Sequence, residues 1–186
     1  VVREHEVETL PCGLVSVMGG KWTTCRPMAL DTLAAVERQL GQALPSPKAM
    51  ALLGSGPTPT ATRDKLEEQK NRLKDLLPNT PQRDAQIAHL QGSHGLQALP
   101  LIAAAALEER APLSDVIPLC EAEIVHAINV EQARSSTDVL ARRCRLAMVD
   151  FAEAQRLEPL TEKHLAQSGL DSAATSTSPM SHQLNP

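Results

Sequence analysis

The sequence has almost no aromatic residues. Trp22 and Phe151 are the only two among 186 residues, and tyrosine is absent. A core without aromatic side chains must be built from leucine, isoleucine, valine, alanine and methionine. Because β-sandwich strands favour aromatic and β-branched residues, such a core indicates helices packed on helices. The composition therefore predicts a mostly α-helical protein.

An excess of positive charge and long apolar segments are also missing. The 18 basic and 22 acidic residues give a net charge of −4, which leaves no cationic field to bind a nucleic-acid backbone. The longest apolar run, residues 99–107, contains Pro100 and is less than half of the roughly 20 residues that cross a bilayer. We therefore expect no nucleic-acid partner and no membrane-spanning helix.

Neither the cysteines nor the histidines form a metal-binding pattern. The four cysteines contain no CxxC pair, and the six histidines show no HExxH or HxxxH spacing. Scattered cysteines of this kind are typical of a reduced intracellular protein, and no targeting signal is recognisable. We predict a cytoplasmic protein with no metal site.

The first 41 residues have the pattern of two strands, a glycine turn and a helix. Strand-like residues are interrupted at Gly19 and Gly20, and apolar residues then recur at helical spacing up to Gly41. Pro27 lacks a backbone N–H and must lie in the first turn of that helix, which places the N-cap at Thr24.

The remaining residues predict a linker, a helical domain and a tail. Residues 42–62 are rich in proline and glycine and resemble a linker. Residues 63–170 are expected to form a compact helical domain, and residues 171–186, which lack periodicity, a disordered tail. The predicted helices are 63–77, 82–90, 96–109, 119–133, 137–154 and 161–167.

The predicted helix 137–154 has the clearest apolar face. Four residues share that face: Leu140, Cys144, Ala147 and Phe151. Arg142 and Arg145 fall on the opposite side, where we expect a solvated, ion-paired surface. Arg143 lies nearer the edge of the stripe and is the arginine expected to pack against a neighbouring domain.

The glycine turn is the segment whose local chemistry suggests a ligand. Gly19 and Gly20 allow close approach of the backbone, Lys21 adds a cation, and the following helix adds partial positive charge. Together these features would stabilise an anion. An ordinary strand-to-helix turn with a surface lysine fits the same spacing.

Two blocks of the sequence resemble the FAD-dependent glycerol-3-phosphate dehydrogenases. Their Gly-Gly-Lys-Trp-Thr-Thr-Tyr-Arg signature is similar to residues 19–26, and their carboxy-terminal helical domain is similar to residues 121–128 and 138–146. The family's tyrosine is replaced by Cys25, and its threonine in the helical block by Cys144. Both replacements are smaller or less polar than the family residues.

The resemblance implies that residues 1–41 close an α/β FAD-binding domain, of which they are the last strands, turn and helix. It implies contact between the turn and the pyrimidine edge of the isoalloxazine ring, and it assigns no catalytic residue to this chain. Lys21 would help to hold glycerol 3-phosphate against flavin N5, and Arg3 would lie near the substrate phosphate. The implied cofactor-binding residues are Gly19, Gly20, Lys21, Trp22 and Thr23.

The implied reaction is oxidation of sn-glycerol 3-phosphate to dihydroxyacetone phosphate, with hydride transfer to FAD and electrons passed to quinone. Such an enzyme would be peripheral on the inner face of the cell membrane, and a homo-oligomer is compatible with it. No GxGxxG motif is present to hold the adenine dinucleotide half of FAD. We therefore expect upstream residues to be missing and this chain alone to bind FAD weakly or not at all and to be inactive.

Two alternatives remain open at this point. A glycerol-3-phosphate oxidase that uses oxygen would have the same site. A non-catalytic helical module that binds a protein partner would use residues 63–170 and leave the glycine turn without a purpose.

Overall fold

A computed structural model of the chain describes residues 4–46, 48, 50 and 52–169. The chain divides into two compact units, Val1–Met50 and Ala51–Pro186. The prediction of a mostly α-helical protein is confirmed, since the described residues form helices and one two-stranded sheet. Arg3 and the predicted disordered tail, residues 171–186, lie outside the described residues.

The first unit consists of a β-hairpin and one helix. Strand β1 (His5–Thr9) pairs with strand β2 (Val15–Gly19) in antiparallel register, with His5 opposite Gly19. Helix α1 (Cys25–Leu40) packs against the hairpin, and His5 Nε2 lies 2.7 Å from a carboxylate oxygen of Asp31. As predicted, α1 begins after Thr24 and ends at Gly41, which has a φ of 65°.

The second unit is helical. Its helices are α2 (Pro59–Leu76), α3 (Arg83–His94), α4 (Ala98–Ala104), α5 (Glu121–Asn129), a π-helical segment (Asp138–Arg143), α6 (Leu146–Val149) and α7 (Phe151–Gln167). Among the described residues, no helix is long and apolar enough to span a membrane. Helix α2 begins inside the segment predicted as linker, because Pro59 occupies its first turn and the Thr58 hydroxyl caps it by accepting the Ala61 N–H at 3.1 Å.

Two hydrophobic cores fill this unit. The first core joins α2, α3 and α4 to the start of α5, with Leu73, Leu90 and Ile102 fully buried. The second core joins the rest of α5 to the π-helical segment, α6 and α7, with Ile124 and Leu140 fully buried. Because α5 contributes to both cores, it is the element that connects the two halves of the unit.

The prediction of one helix over residues 137–154 is wrong. Arg145 has a φ of 61°, which ends the π-helical segment, and Asp150 is extended and caps α7 by accepting the Glu153 N–H at 3.0 Å. The predicted break before residue 161 is also wrong, since α7 continues through Pro159 with Leu157 and Thr161 buried on either side. Packing of the α7 face outweighs the proline there.

Two backbone segments touch near the start of the second unit. The N–H of Leu96 donates to the carbonyl of Gly54 at 2.8 Å. Gly54 and Gly95 both have positive φ angles, 80° and 55°, and a Cβ on Gly95 would collide with the Gly54 carbonyl oxygen. Only glycine fits this approach.

Candidate functional site

The glycine turn follows β2 directly and is tightly closed. Gly19 and Gly20 have φ angles of 76° and 80°, which favour glycine. A Cβ on Gly19 would lie 2.6 Å from the carbonyl oxygen of Glu4, and the N–H of Gly20 donates to the same carbonyl at 3.3 Å. The absence of side chains therefore allows the turn to fold back on β1 at Gly19 and to pack against Met28 at Gly20.

The next residues form a 3₁₀ turn, Trp22–Thr24, that leads into α1. The Lys21 N–H donates to the Thr24 hydroxyl at 3.1 Å, and that hydroxyl donates to the Lys21 carbonyl at 2.9 Å. Among the described residues, no acceptor contacts the backbone N–H of Trp22 or Thr23. The N–H groups of Gly20 and Lys21 are thus used within the first unit, whereas those of Trp22 and Thr23 are free among the described residues.

The side chains of the turn are exposed. Trp22 is 90% exposed, and Lys21 and Thr23 are also exposed. Lys21 forms no ion pair with any residue that the structure describes. The structure therefore brings Gly19 to Thr23 together on one open turn, whereas Arg3, the other predicted substrate ligand, lies outside the described residues.

A second group of polar residues lies between the two cores of the helical unit. Glu123 is buried in α5, and its Oε1 lies 2.9 Å from His89 Nε2 and 3.1 Å from His94 Nε2. Its Oε2 accepts the Cys120 N–H at 2.9 Å. Burial opposes ionisation, but the hydrogen bonds from His89, His94 and Cys120 outweigh it, so the pKa of Glu123 is lowered to about 2.

Sequence reasoning missed this group. His89 and His94 lie on α3 and Glu123 lies on α5, so no local spacing brings them together. The start of α5 offers a weak signal, because Glu123 is placed three residues after Cys120 and caps its own helix. Nothing in the sequence identifies the two histidines as its partners.

The side chain of Arg143 contacts Glu131 within the helical unit. It donates to the backbone carbonyl of Glu131 at 2.9 Å, and its Nε lies 3.8 Å from Glu131 Oε2. The sequence had suggested that it packs against a neighbouring domain. Arg142 is exposed, as predicted, and its guanidinium lies 2.6 Å from Asp138.

A small pocket of about 70 Å³ opens beside Arg143 and is lined by His94, Glu123, Glu131 and Cys144. Burial raises the pKa of the Cys144 thiol. Burial and the adjacent Glu123 raise the pKa of the Cys120 thiol to about 12. Neither cysteine is therefore a thiolate nucleophile near neutral pH.

Comparison with known proteins identifies the family of this chain. The sequence model of a family described as the C-terminal domain of alpha-glycerophosphate oxidase matches residues 48–169. A mitochondrial glycerol-3-phosphate dehydrogenase of Arabidopsis thaliana is 33% identical over 167 residues, which cover 84% of this chain and 26% of that protein. No solved structure matches.

Two further relatives carry similar names. The mitochondrial glycerol-3-phosphate dehydrogenase of Schizosaccharomyces pombe is 31% identical over 94% of this chain and 30% of its own length. The protein of that name from Homo sapiens is 30% identical over 86% of this chain and 22% of its own length. The chain thus matches less than a third of these relatives. With the family model covering most of the helical unit, the chain belongs to the family of alpha-glycerophosphate oxidase C-terminal domains and resembles the corresponding region of glycerol-3-phosphate dehydrogenases.

Proposed function

We propose that this chain is the carboxy-terminal part of a flavoenzyme that oxidises sn-glycerol 3-phosphate to dihydroxyacetone phosphate. Family membership and the names of the relatives support the substrate. The observation that carries the proposal within this chain is the glycine turn, where free backbone donors and an unpaired lysine lie on one open surface. The rest of the catalytic site would come from additional sequence.

The turn fits the edge of a flavin ring. Gly19 and Gly20 let the backbone pack tightly against Glu4 and Met28. The free N–H groups of Trp22 and Thr23 lie at the positive end of the α1 helix dipole. Bound FAD would supply the hydride acceptor. The proposed role of Gly19 to Thr23 is to hold the pyrimidine edge and to stabilise negative charge there.

The proposed role of Lys21 is to bind the substrate. Its ammonium group has no ion-pair partner among the described residues and is exposed on the same turn. Glycerol 3-phosphate carries a dianionic phosphate, for which a free cation close to the ring edge is suited. From its sequence position, Arg3 is proposed as a second cation for this phosphate.

The first experiment is a flavin titration of the 186-residue chain, followed by flavin fluorescence. The chain offers contacts to the ring edge and no pyrophosphate-binding glycine motif, so we expect weak or no binding. Stoichiometric binding with micromolar or better affinity would contradict the proposal that most of the flavin site is formed by additional sequence.

The second experiment substitutes Lys21→Met in the complete enzyme. Loss of a charge-assisted contact to substrate, about 1.5–3 kcal/mol, should lower kcat/KM for glycerol 3-phosphate by roughly tenfold or more. Flavin content should change much less. Lys48→Met, an exposed lysine of the same unit, is the matched control. Unchanged kinetics in Lys21→Met would remove Lys21 from the site.

For the electron acceptor we propose quinone, and oxygen is the second candidate because the matched family is described as an oxidase domain. A quinone-reduction assay and an oxygen electrode, used on the same preparation, separate the two. Dominant peroxide formation with glycerol 3-phosphate would assign the oxidase.

The proposed location is cytoplasmic, with peripheral contact to the inner face of the cell membrane, and the enzyme is proposed to be a homo-oligomer. Cell fractionation tests the location: a peripheral protein is released from membranes by high salt or alkaline wash. Light scattering of the complete protein measures its oligomeric state.

A further inference from the structure

We propose that His94, His126 and Glu131 form a binding site for a divalent transition-metal ion such as Zn²⁺. One ring nitrogen of each histidine and one carboxylate oxygen of Glu131 all lie within 4.8 Å of one another. His94 ends α3, His126 lies on α5, and Glu131 follows α5. Imidazole nitrogens with one carboxylate oxygen form a ligand set that zinc accepts.

The ring of His94 is fixed by a hydrogen bond at one of its nitrogens, which leaves the other as the ligating atom of the proposed site. Its Nε2 lies 3.1 Å from the buried Glu123 carboxylate, which acts only as an acceptor when ionised. The proton is thereby fixed on Nε2, and Nδ1 keeps its lone pair. A carboxylate that orients a ligating histidine through its other ring nitrogen is a common arrangement around protein-bound zinc.

Glu131 is positioned through its backbone, because its carbonyl accepts a hydrogen bond from Arg143 at 2.9 Å. Its Oε2 lies 3.8 Å from Arg143 Nε, while its Oε1 lies 3.9 Å from His126 Nε2. The second distance is too long for a hydrogen bond, so the oxygen that faces His126 is not committed to it. The charge of Arg143 limits the affinity for a cation, and we therefore expect a dissociation constant of about micromolar order.

His126 is the uncommitted ligand. Within residues 52–169 its ring makes no hydrogen bond, and it meets the His94 ring edge-on with centroids 5.6 Å apart.

The group is slightly more open than a metal site with an ion bound. Bonds of about 2.0–2.1 Å at tetrahedral angles place ligand atoms about 3.4 Å apart, so ligand atoms that are up to 4.8 Å apart must close by up to about 1.4 Å. The side chains of His126 and Glu131 are 23% and 38% exposed and can move, whereas His94 is fixed by Glu123.

The test is titration of the 186-residue chain with Zn²⁺ by calorimetry and with Co²⁺ by visible absorption. We expect one ion per chain, a rise in the thermal unfolding midpoint, and a Co²⁺ spectrum with the intense bands of low coordination number. His126→Ala should weaken binding at least tenfold and abolish these bands. No flavin or substrate is needed, so the result is independent of the proposed function.

His164→Ala is the matched control, because His164 is also half-buried but pairs with Glu121 at 2.6 Å outside this group. It should bind metal like the unaltered chain. Glu131→Gln, which removes the carboxylate charge at an exposed position, should also weaken binding at least tenfold and decides the question if His126→Ala does not fold. Absence of binding at about 100 μM Zn²⁺, or binding unaffected by these two substitutions, would overturn the site.

Discussion

Helix α1 of the first unit and helix α5 of the second bury very different shares of their residues. Only Ala35 is buried among the 16 residues of α1, whereas five of the nine residues of α5 are buried. Leu30, Leu33 and Leu40 remain at least 38% exposed on α1. The helical unit therefore completes its own cores, while the apolar side chains of the first unit find too few partners within it.

The largest effect should come from separating the units. Residues 51–186 expressed alone should unfold cooperatively and remain helical, because both cores lie within them. Residues 1–50 alone should not fold stably, since a two-stranded hairpin with one helix buries too little surface. Thermal circular dichroism of each piece is the measurement. Non-cooperative melting of residues 51–186 would contradict the conclusion that the helical unit completes its own cores.

Removal of a core side chain should come next. Leu140→Ala should lower the free energy of unfolding by about 2–5 kcal/mol, because Leu140 is fully buried in the second core. Leu33→Ala, at a partly exposed position of α1, should cost about 1 kcal/mol or less. Arg142→Ala should also cost less than about 1 kcal/mol, since its pair with Asp138 is exposed.

Thermal or urea unfolding of the three variants measures these differences. Equal costs for Leu140→Ala and Arg142→Ala would show that the assigned buried face of the π-helical segment is wrong.

The buried carboxylate of Glu123 should have a smaller, pH-dependent effect. Because its folded pKa, about 2, lies below the ordinary value of 4.5, ionised Glu123 stabilises the fold above about pH 4.5. That contribution is lost as the pH falls from 4.5 towards 2. Glu123→Gln should therefore cost about 1–3 kcal/mol at pH 7 and progressively less in acid.

Urea unfolding of this variant between pH 3 and pH 7 measures that dependence. Glu67→Gln, at an exposed position of α2, is the control and should show little effect. A cost for Glu123→Gln that does not fall with pH would show that the carboxylate charge is not what stabilises the contact between α3 and α5.

The smallest effect is expected at the glycine turn. Trp22 is 90% exposed, so Trp22→Ala should change the unfolding free energy of this chain by less than about 0.5 kcal/mol. In the complete enzyme the same substitution should reduce bound flavin, as measured by absorbance per protein. A large stability loss in the isolated chain would show that Trp22 packs within the first unit.

The helical class and the caps of α1 could be predicted because their signals are local. Thr24, Pro27 and Gly41 mark that helix through backbone hydrogen bonding that neighbouring residues alone determine. The break at Arg145 could not be predicted, because a non-glycine residue with positive φ carries no sequence signal. The two residues that follow it, Leu146 and Ala147, are buried in the second core.

The same contrast applies to the candidate sites. The glycine turn could be recognised from the sequence because its residues are consecutive. The sequence did not show that the Lys21 N–H donates a hydrogen bond to the Thr24 hydroxyl. The group around Glu123 forms only when α3 packs against α5, because its histidines lie on α3 and its carboxylate lies on α5. Sequence spacing along one helix cannot reveal it.

The contact between Gly54 and Gly95 limits where the helical unit can be shortened or altered. The contact is formed by backbone atoms, so the polarity of neighbouring side chains does not affect it. It requires only that neither Gly54 nor Gly95 carry a Cβ. Truncations that begin after Gly54 would leave the Leu96 N–H without its acceptor, so the folding boundary of the unit precedes its first helix. Directed evolution of this region would therefore find neutral changes around the two glycines and almost none at them.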